Sequence, residues 1–320
     1  MRSMILLLAG LCACATRSPD ARATEPAGDL RNEPTACRDA AVAIEVLGSG
    51  GPILDDDRGS AGYVVWVDGS ARLIVDLGPG AMSAFGAAGG TVDELDAVLL
   101  SHLHVDHSAD LAALGKSAWF GGRTKALPIV GPAEAGAFPS TTGFVQGMFG
   151  ADGIYRYLSG YTEGGKPFAM RPRDVALDGA EPTEVLRTQE LTVRALGVPH
   201  GPVPALAFVV EVDGFSVGFM GDQRADEERY VSMMRDVDVL VAHMAVSDGP
   251  DPVAGALHAT PERLGIVAAE AGVERLVLSH LMPRTLANLD ANVESIGRAF
   301  EGEVVVAYDG LCVEASGVGS

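Results

Sequence analysis

Ser101-His102-Leu103-His104-Val105-Asp106-His107 places four metal-ligand side chains within six positions, in a chain with only seven histidines among 320 residues. Ala97-Val98-Leu99-Leu100 before it is a short apolar run, the pattern of a buried strand. Ser108 to Leu114 after it has the apolar spacing of a helix. On the last strand residue and the turn that follows, His102 and His104 point the same way, at a period of two, toward one cation. Asp106 and His107 open the helix and face a point a few ångströms further on. The spacing predicts two adjacent metal sites, because packing has no evident use for four ligand side chains set this close.

His-x-His-x-Asp-His at the end of a strand resembles the signature of the metallo-β-lactamase superfamily of dinuclear zinc hydrolases. Further matches follow in order: Val198-Pro199-His200-Gly201 for a third histidine motif, Phe219-Met220-Gly221-Asp222 for a bridging aspartate, and Leu278-Ser279-His280 for a final histidine. The resemblance covers residues 41 to 314. It implies an α/β fold, the αββα sandwich in which two mixed β-sheets are flanked by helices. It also implies two Zn2+ per chain, with iron or manganese compatible with one site. His102, His104 and His200 would hold one ion, Asp106, His107 and His280 the other, and Asp222 would bridge them. Two such cations bring a shared water toward a pKa of about 7 and clamp the attacking and leaving oxygens of an ester. Asp222 has a second reading, as a cap for a helix starting near Asp226. Asp76, in Leu73-Ile74-Val75-Asp76-Leu77-Gly78, stands where the family has a buried acid that orients a zinc histidine. It reads equally as a turn residue before Gly78.

Within the superfamily the second half resembles the tRNase Z-like branch. His258-Ala259-Thr260 resembles that branch's His-x-Thr motif, whose histidine assists the leaving group, so Asp106 and His258 are the expected catalytic residues. Arg284 follows His280 at the branch's spacing and is the expected substrate-binding residue. Gly48-Ser49-Gly50-Gly51-Pro52 resembles the branch's first motif. Two features depart. His243-Met244-Ala245-Val246 replaces His-Glu-Ala-Thr, removing the glutamate that would hold His258, and His243 reads as a structural strand-end residue. His200 and Asp222 are only 22 positions apart, room for two strands and a turn but not for an RNA-gripping arm.

Composition points the same way. With 23 basic and 43 acidic residues the net charge is −20, which argues against a sequence-independent grip on nucleic acid. The expected substrate is therefore a small anionic ester, an aryl sulfate or phosphodiester, by analogy with the branch's exported zinc arylsulfatases. A lactonase or β-lactamase is the alternative enzyme, and a non-catalytic binding protein on the same scaffold is the alternative of another class. No oligomeric state is legible.

Met1-Arg2-Ser3-Met4 followed by an apolar stretch reads as a secretory signal over residues 1–15, implying a periplasmic or otherwise exported protein. Leu11-Cys12-Ala13-Cys14 fits a lipobox that would anchor Cys14 to a membrane, and Ala13-Cys14-Ala15 fits ordinary cleavage. Residues 16–39 form a polar linker, and 40–316 the hydrolase domain. Strands are expected at Val42–Leu47, Tyr63–Val67, Leu73–Val75, Ala205–Val212, Phe215–Phe219, Val237–Ala242, Leu276–Leu278 and Val304–Ala307. Thr260-Pro261 opens a helix that stops before Gly272. Between His107 and His200 lie nine aromatic residues with nine basic and nine acidic ones, read either as an aromatic lid over the metals or as an added hydrophobic cluster. In the resembling fold the two chain ends lie on one side of the core, so a disulfide between Cys37 and Cys312 is expected.

Overall fold

The computed structural model describes residues 36–165 and 167–315. The signal segment and most of the linker lie outside the described residues. In chain order the first six strands are β1 (Val42–Gly48), β2 (Gly62–Val67), β3 (Ser70–Leu77), β4 (Ala97–Leu99), β5 (Leu127–Pro132) and β6 (Met170–Val175). The next seven are β7 (Thr183–Arg187), β8 (Leu191–His200), β9 (Val203–Val212), β10 (Phe215–Phe219), β11 (Val239–His243), β12 (Arg275–Ser279) and β13 (Glu303–Val306). The last, β14 (Cys312–Glu314), returns to pair with β1. One sheet runs β14-β1-β2-β3-β4-β5-β6 and the other β13-β12-β11-β10-β9-β8-β7. Each begins antiparallel and turns parallel, at β3–β4 and at β10–β11, so both are mixed, as expected.

The strands read as continuous apolar runs because both of their faces are covered. Alternate residues divide between layers: Val42, Ile44 and Val46 of β1, with Tyr63, Leu73, Leu206 and Phe208, fill the space between the sheets. Ala43 and Leu47, with Trp66 and Ile74, pack outward. Over the first sheet lie α1 (Ala36–Asp39), α2 (Ala81–Ala87), α3 (Val105–Ser108), α4 (Leu111–Ala118), α5 (Thr141–Phe149) and α6 (Gly160–Glu163). With the second half come α7 (Glu228–Met233), α8 (Pro252–Leu257), α9 (Pro261–Ala271), α10 (Pro283–Leu286) and α11 (Leu289–Ile296). Thr260 Oγ1 accepts from Arg263 N at the start of α9, and Gly272, at φ 71°, ends it in the left-handed conformation. Leu264, Val267 and Ala268 are its buried face.

Two expectations change here. The helix expected over Ser108–Leu114 is split into α3 and α4. Ala36–Asp39, read as the end of the linker, is helical, with Cys37 buried and bonded to Cys312 across a Cα–Cα distance of 5.4 Å. Among the described residues no helix is long and apolar enough to cross a membrane.

Candidate metal centre

Five strands deliver ligand-type side chains to one end of the sandwich. β4 leads into His102, β8 ends on His200, β10 leads to Asp222, β11 ends on His243, and β12 leads to His280. His258 closes α8. Asp106 and His107 sit on α3, held against β3 through Gly78, where a Cβ would lie 2.2 Å from Asp106 O. All seven histidines of the chain meet in this cluster.

The centre of the arrangement is Asp222 Oδ2. It lies 3.7 Å from His107 Nε2, 3.8 Å from His200 Nε2, 3.6 Å from His280 Nε2 and 3.8 Å from His258 Nδ1. These gaps are too long for hydrogen bonds. They are close to the roughly 3.3 Å that separates donors placed about 2.0 Å from a tetrahedral cation. The Nε2 atoms of His107 and His200 are buried without a hydrogen-bond partner, as is Nδ1 of His258. Orphaned imidazole nitrogens converging on one carboxylate oxygen fit divalent cations, since burying them otherwise costs free energy without return. His102, His104 and His200 form one potential ligand group. Asp106 Oδ2 is 3.2 Å from His280 Nε2 and 3.5 Å from His107 Nε2, on the other side.

The opposite ring nitrogens are held by the protein. His200 Nδ1 faces the carbonyl of Leu257 at 3.0 Å, and His107 Nδ1 faces Asp76 Oδ2 at 2.8 Å. Asp76 also accepts from Ser101 N and Ser101 Oγ, both at 2.7 Å. It does so from a left-handed backbone, φ 59°, a strained conformation kept where the surroundings dictate it. His280 is likewise left-handed at φ 55°. A Cβ on Gly51 would come within 2.8 Å of its Cε1, which gives the glycine-rich first turn a packing reason.

Electrostatics agree with this geometry. Burial holds His102 well below the ordinary imidazole range, and lowers His104 and His243 as well. Burial pushes Asp106 and Asp222 up, but the surrounding histidines outweigh it and keep both carboxyls below their usual range. For His107 burial is outweighed by Asp76 and Asp222, which raise it. His258 is lowered to about 4, chiefly by burial.

His243, read from sequence as merely structural, has a larger part. Its Nδ1 is 2.7 Å from Asp222 Oδ1, so it ties down one carboxylate oxygen and leaves Oδ2 facing the histidines. Its Nε2 is 3.0 Å from the Tyr63 hydroxyl, itself 2.8 Å from Ser279 Oγ. A signal for His243 was present: it ends a strand, as the ligand motifs do. Asp222 caps no helix, since α7 starts after Glu227. Arg284 is exposed on α10 and its Nε donates to Ala245 O at 2.9 Å. Of the nine aromatic residues read either as a lid or as a hydrophobic cluster, Phe138 meets a candidate ligand, its ring 5.7 Å from that of His104. Phe149, Tyr161 and Phe168 are buried against the first sheet.

Residues 71–281 match the family described as the Beta-lactamase superfamily domain. The ribonuclease Z of Mycobacterium bovis (strain BCG / Pasteur 1173P2) is 29% identical over 257 residues, 76% of this chain and 86% of that protein. The metallo-beta-lactamase fold protein YhfI of Bacillus subtilis superposes with a TM-score of 0.65 at 23% identity, over 86% of this chain and 99% of that one. Human tRNase Z, short form, does so at 0.64 and 18%, over 85% and 98%. These relatives correct two expectations. The relatives that match in sequence over 76% of this chain or more are named ribonuclease Z, for RNA, and not for aryl sulfates or other small anionic esters. The inference against nucleic acid from a charge of −20 fails with it, because a net charge sums the whole surface and does not describe a cleft.

Proposed function

We propose that this chain, which belongs to the beta-lactamase superfamily of metal-dependent hydrolases, is a ribonuclease that hydrolyses phosphodiester bonds of RNA. The observation that carries the reading is the convergence of four imidazole nitrogens on Asp222 Oδ2, within a chain that is similar to ribonuclease Z over 76% of its length. His102, His104 and His200 would hold one divalent cation and Asp106, His107 and His280 a second, with Asp222 between them. The nitrogen and oxygen donors suit Zn2+. Bound cations activate water and neutralise charge on a phosphate.

The chain's own residues supply the rest. Asp76 fixes the ring of His107, and His243 fixes the carboxylate of Asp222. His258 is neutral before substrate arrives, because burial disfavours its charge. An RNA phosphate beside it raises its proton affinity, so it takes up a proton that it can return to the leaving oxygen. The Cys37–Cys312 bond supports a working place in an oxidising compartment.

The test is incubation of metal-replete protein with single-stranded and hairpin RNAs, resolved by length on gels. Cleavage that stops with chelator, and is lost in Asp222→Ala, is the expected result. Metal-loaded protein that leaves every RNA intact would overturn the reading.

A further inference from the structure

Exposed aromatic side chains gather with two cations at the far ends of α4 and α5. Phe120 is 76% and Tyr157 61% exposed, and Tyr155 and Trp119 are partly so. Lys116 Nζ lies 4.9 Å from the ring centroid of Phe120 and 5.3 Å from that of Tyr157. Arg156 is exposed between the two tyrosines. Neither cation pairs with a carboxylate among the described residues, although the chain has 43 acidic residues. The cluster is held firmly: Ile154 N donates to Gly147 O and Tyr155 N to Met148 O, folding the segment back on α5. The buried Tyr161 hydroxyl donates to Gly115 O at 2.6 Å, joining it to α4.

Both helices start at the metal centre. α4 follows α3, which carries Asp106 and His107, and α5 follows Phe138, whose ring meets His104. α4 rises about 12 Å between the two ends. The exposed residues along the two helices before the cluster, Ala113, Gly143, Gln146 and Gly147, are uncharged. The helix faces between the two ends carry no carboxylate: Asp110, at the start of α4, accepts from Gly80 N and Met82 N, and Asp93, bonded to Gly122 N, and the exposed Asp152 flank the cluster.

We infer that Lys116, Phe120, Tyr155, Arg156 and Tyr157 form a stacking platform for single-stranded RNA, on which nucleotides flanking the cleaved bond rest. The inference rests on the ribonuclease reading. Aromatic faces accept any base, and isolated cations between them take the phosphates, the combination that grips single strands without sequence preference. It also accounts for how a chain of net charge −20 binds RNA without a basic arm: the grip is local and largely uncharged.

Fluorescence anisotropy with labelled RNA tests this on the metal-loaded protein. The probes are an oligonucleotide of about 12 nucleotides, within the range of single-strand sites, and a shorter one of about 3. Phe120→Ala and Tyr157→Ala should each weaken the longer RNA by roughly 5- to 150-fold, the usual worth of one stacked base. They should leave the short RNA and the metal content unchanged. Lys116→Ala should flatten the dependence of log affinity on log salt by about 0.7, one phosphate contact. Wild-type affinity for the longer RNA in all three variants, with wild-type protein cleaving RNA, would overturn the platform and leave the ribonuclease reading intact. Wild-type protein that neither binds nor cleaves RNA would overturn both. Variants that alter sedimentation but not RNA affinity would make the patch a self-association surface and overturn the platform.

Discussion

At the scale of single residues, side chains that would touch metal are distinct from those that hold them in place. Asp76→Asn keeps the volume but removes the charge facing His107 Nδ1, and should weaken metal binding roughly 10- to 100-fold, measured by chelator competition. His243→Gln should act in the same direction by freeing Asp222 Oδ1, with Tyr63→Phe smaller because it is one bond further away. Unchanged metal affinity in both would assign His243 and Tyr63 to packing alone. His258 adds a pH signature. Its folded-state pKa of about 4 is below the ordinary imidazole value, so the unfolded chain binds more protons as pH falls from about 6.5. Its contribution lowers stability through that window, by up to about 3 kcal/mol, and the change is complete below pH 4. Denaturant midpoints of metal-free protein should therefore fall less steeply between pH 6.5 and 4 in His258→Gln than in wild type; equal slopes would contradict the shift. The ligand set was legible because each member follows an apolar strand. His243 was misread because a positioning histidine leaves the same trace in sequence as a structural one.

At the scale of elements, legibility followed unbroken apolar runs more than burial: β5 and β8 are largely buried, yet glycine and proline interrupt them and neither range stands among the expected strands. β4, β9, β10 and α9 announce themselves by apolar runs or by a Thr-Pro cap, since packing dictates their composition. β6 and β7 do not. Met170-Arg171-Pro172-Arg173-Asp174-Val175 and Thr183-Glu184-Val185-Leu186-Arg187 are edge strands, largely exposed, and β6 contains a proline that only an edge tolerates. Their identity comes from their neighbours, not from their own residues. α8 was missed although Asp251-Pro252 repeats the signal of Thr260-Pro261, because it is six residues long with no buried face. The disulfide is an element-scale device too: it fastens α1 to β14, a three-residue edge strand. Replacing Cys37 and Cys312 together by alanine should cost up to roughly 5–6 kcal/mol by the chain-entropy relation for a loop this long, read from urea denaturation. A loss under about 1 kcal/mol would mean that β-pairing alone holds the chain ends.

At the scale of the whole molecule, two sheets of the same grammar place their strand ends at one edge, and every histidine of the chain collects there. The fold was readable because the motif belongs to one superfamily. The substrate was not, because net charge and a missing arm describe what the surface lacks overall, whereas binding depends on what one track presents. The central claim is that this edge is a dinuclear metal centre organised by Asp222. Elemental analysis of purified, metal-replete protein tests it most directly. The account predicts about two divalent ions per chain in wild type and a loss of both in Asp222→Ala, with His258→Ala retaining them. Full activity on RNA from protein carrying no metal, or two ions retained without Asp222, would contradict it.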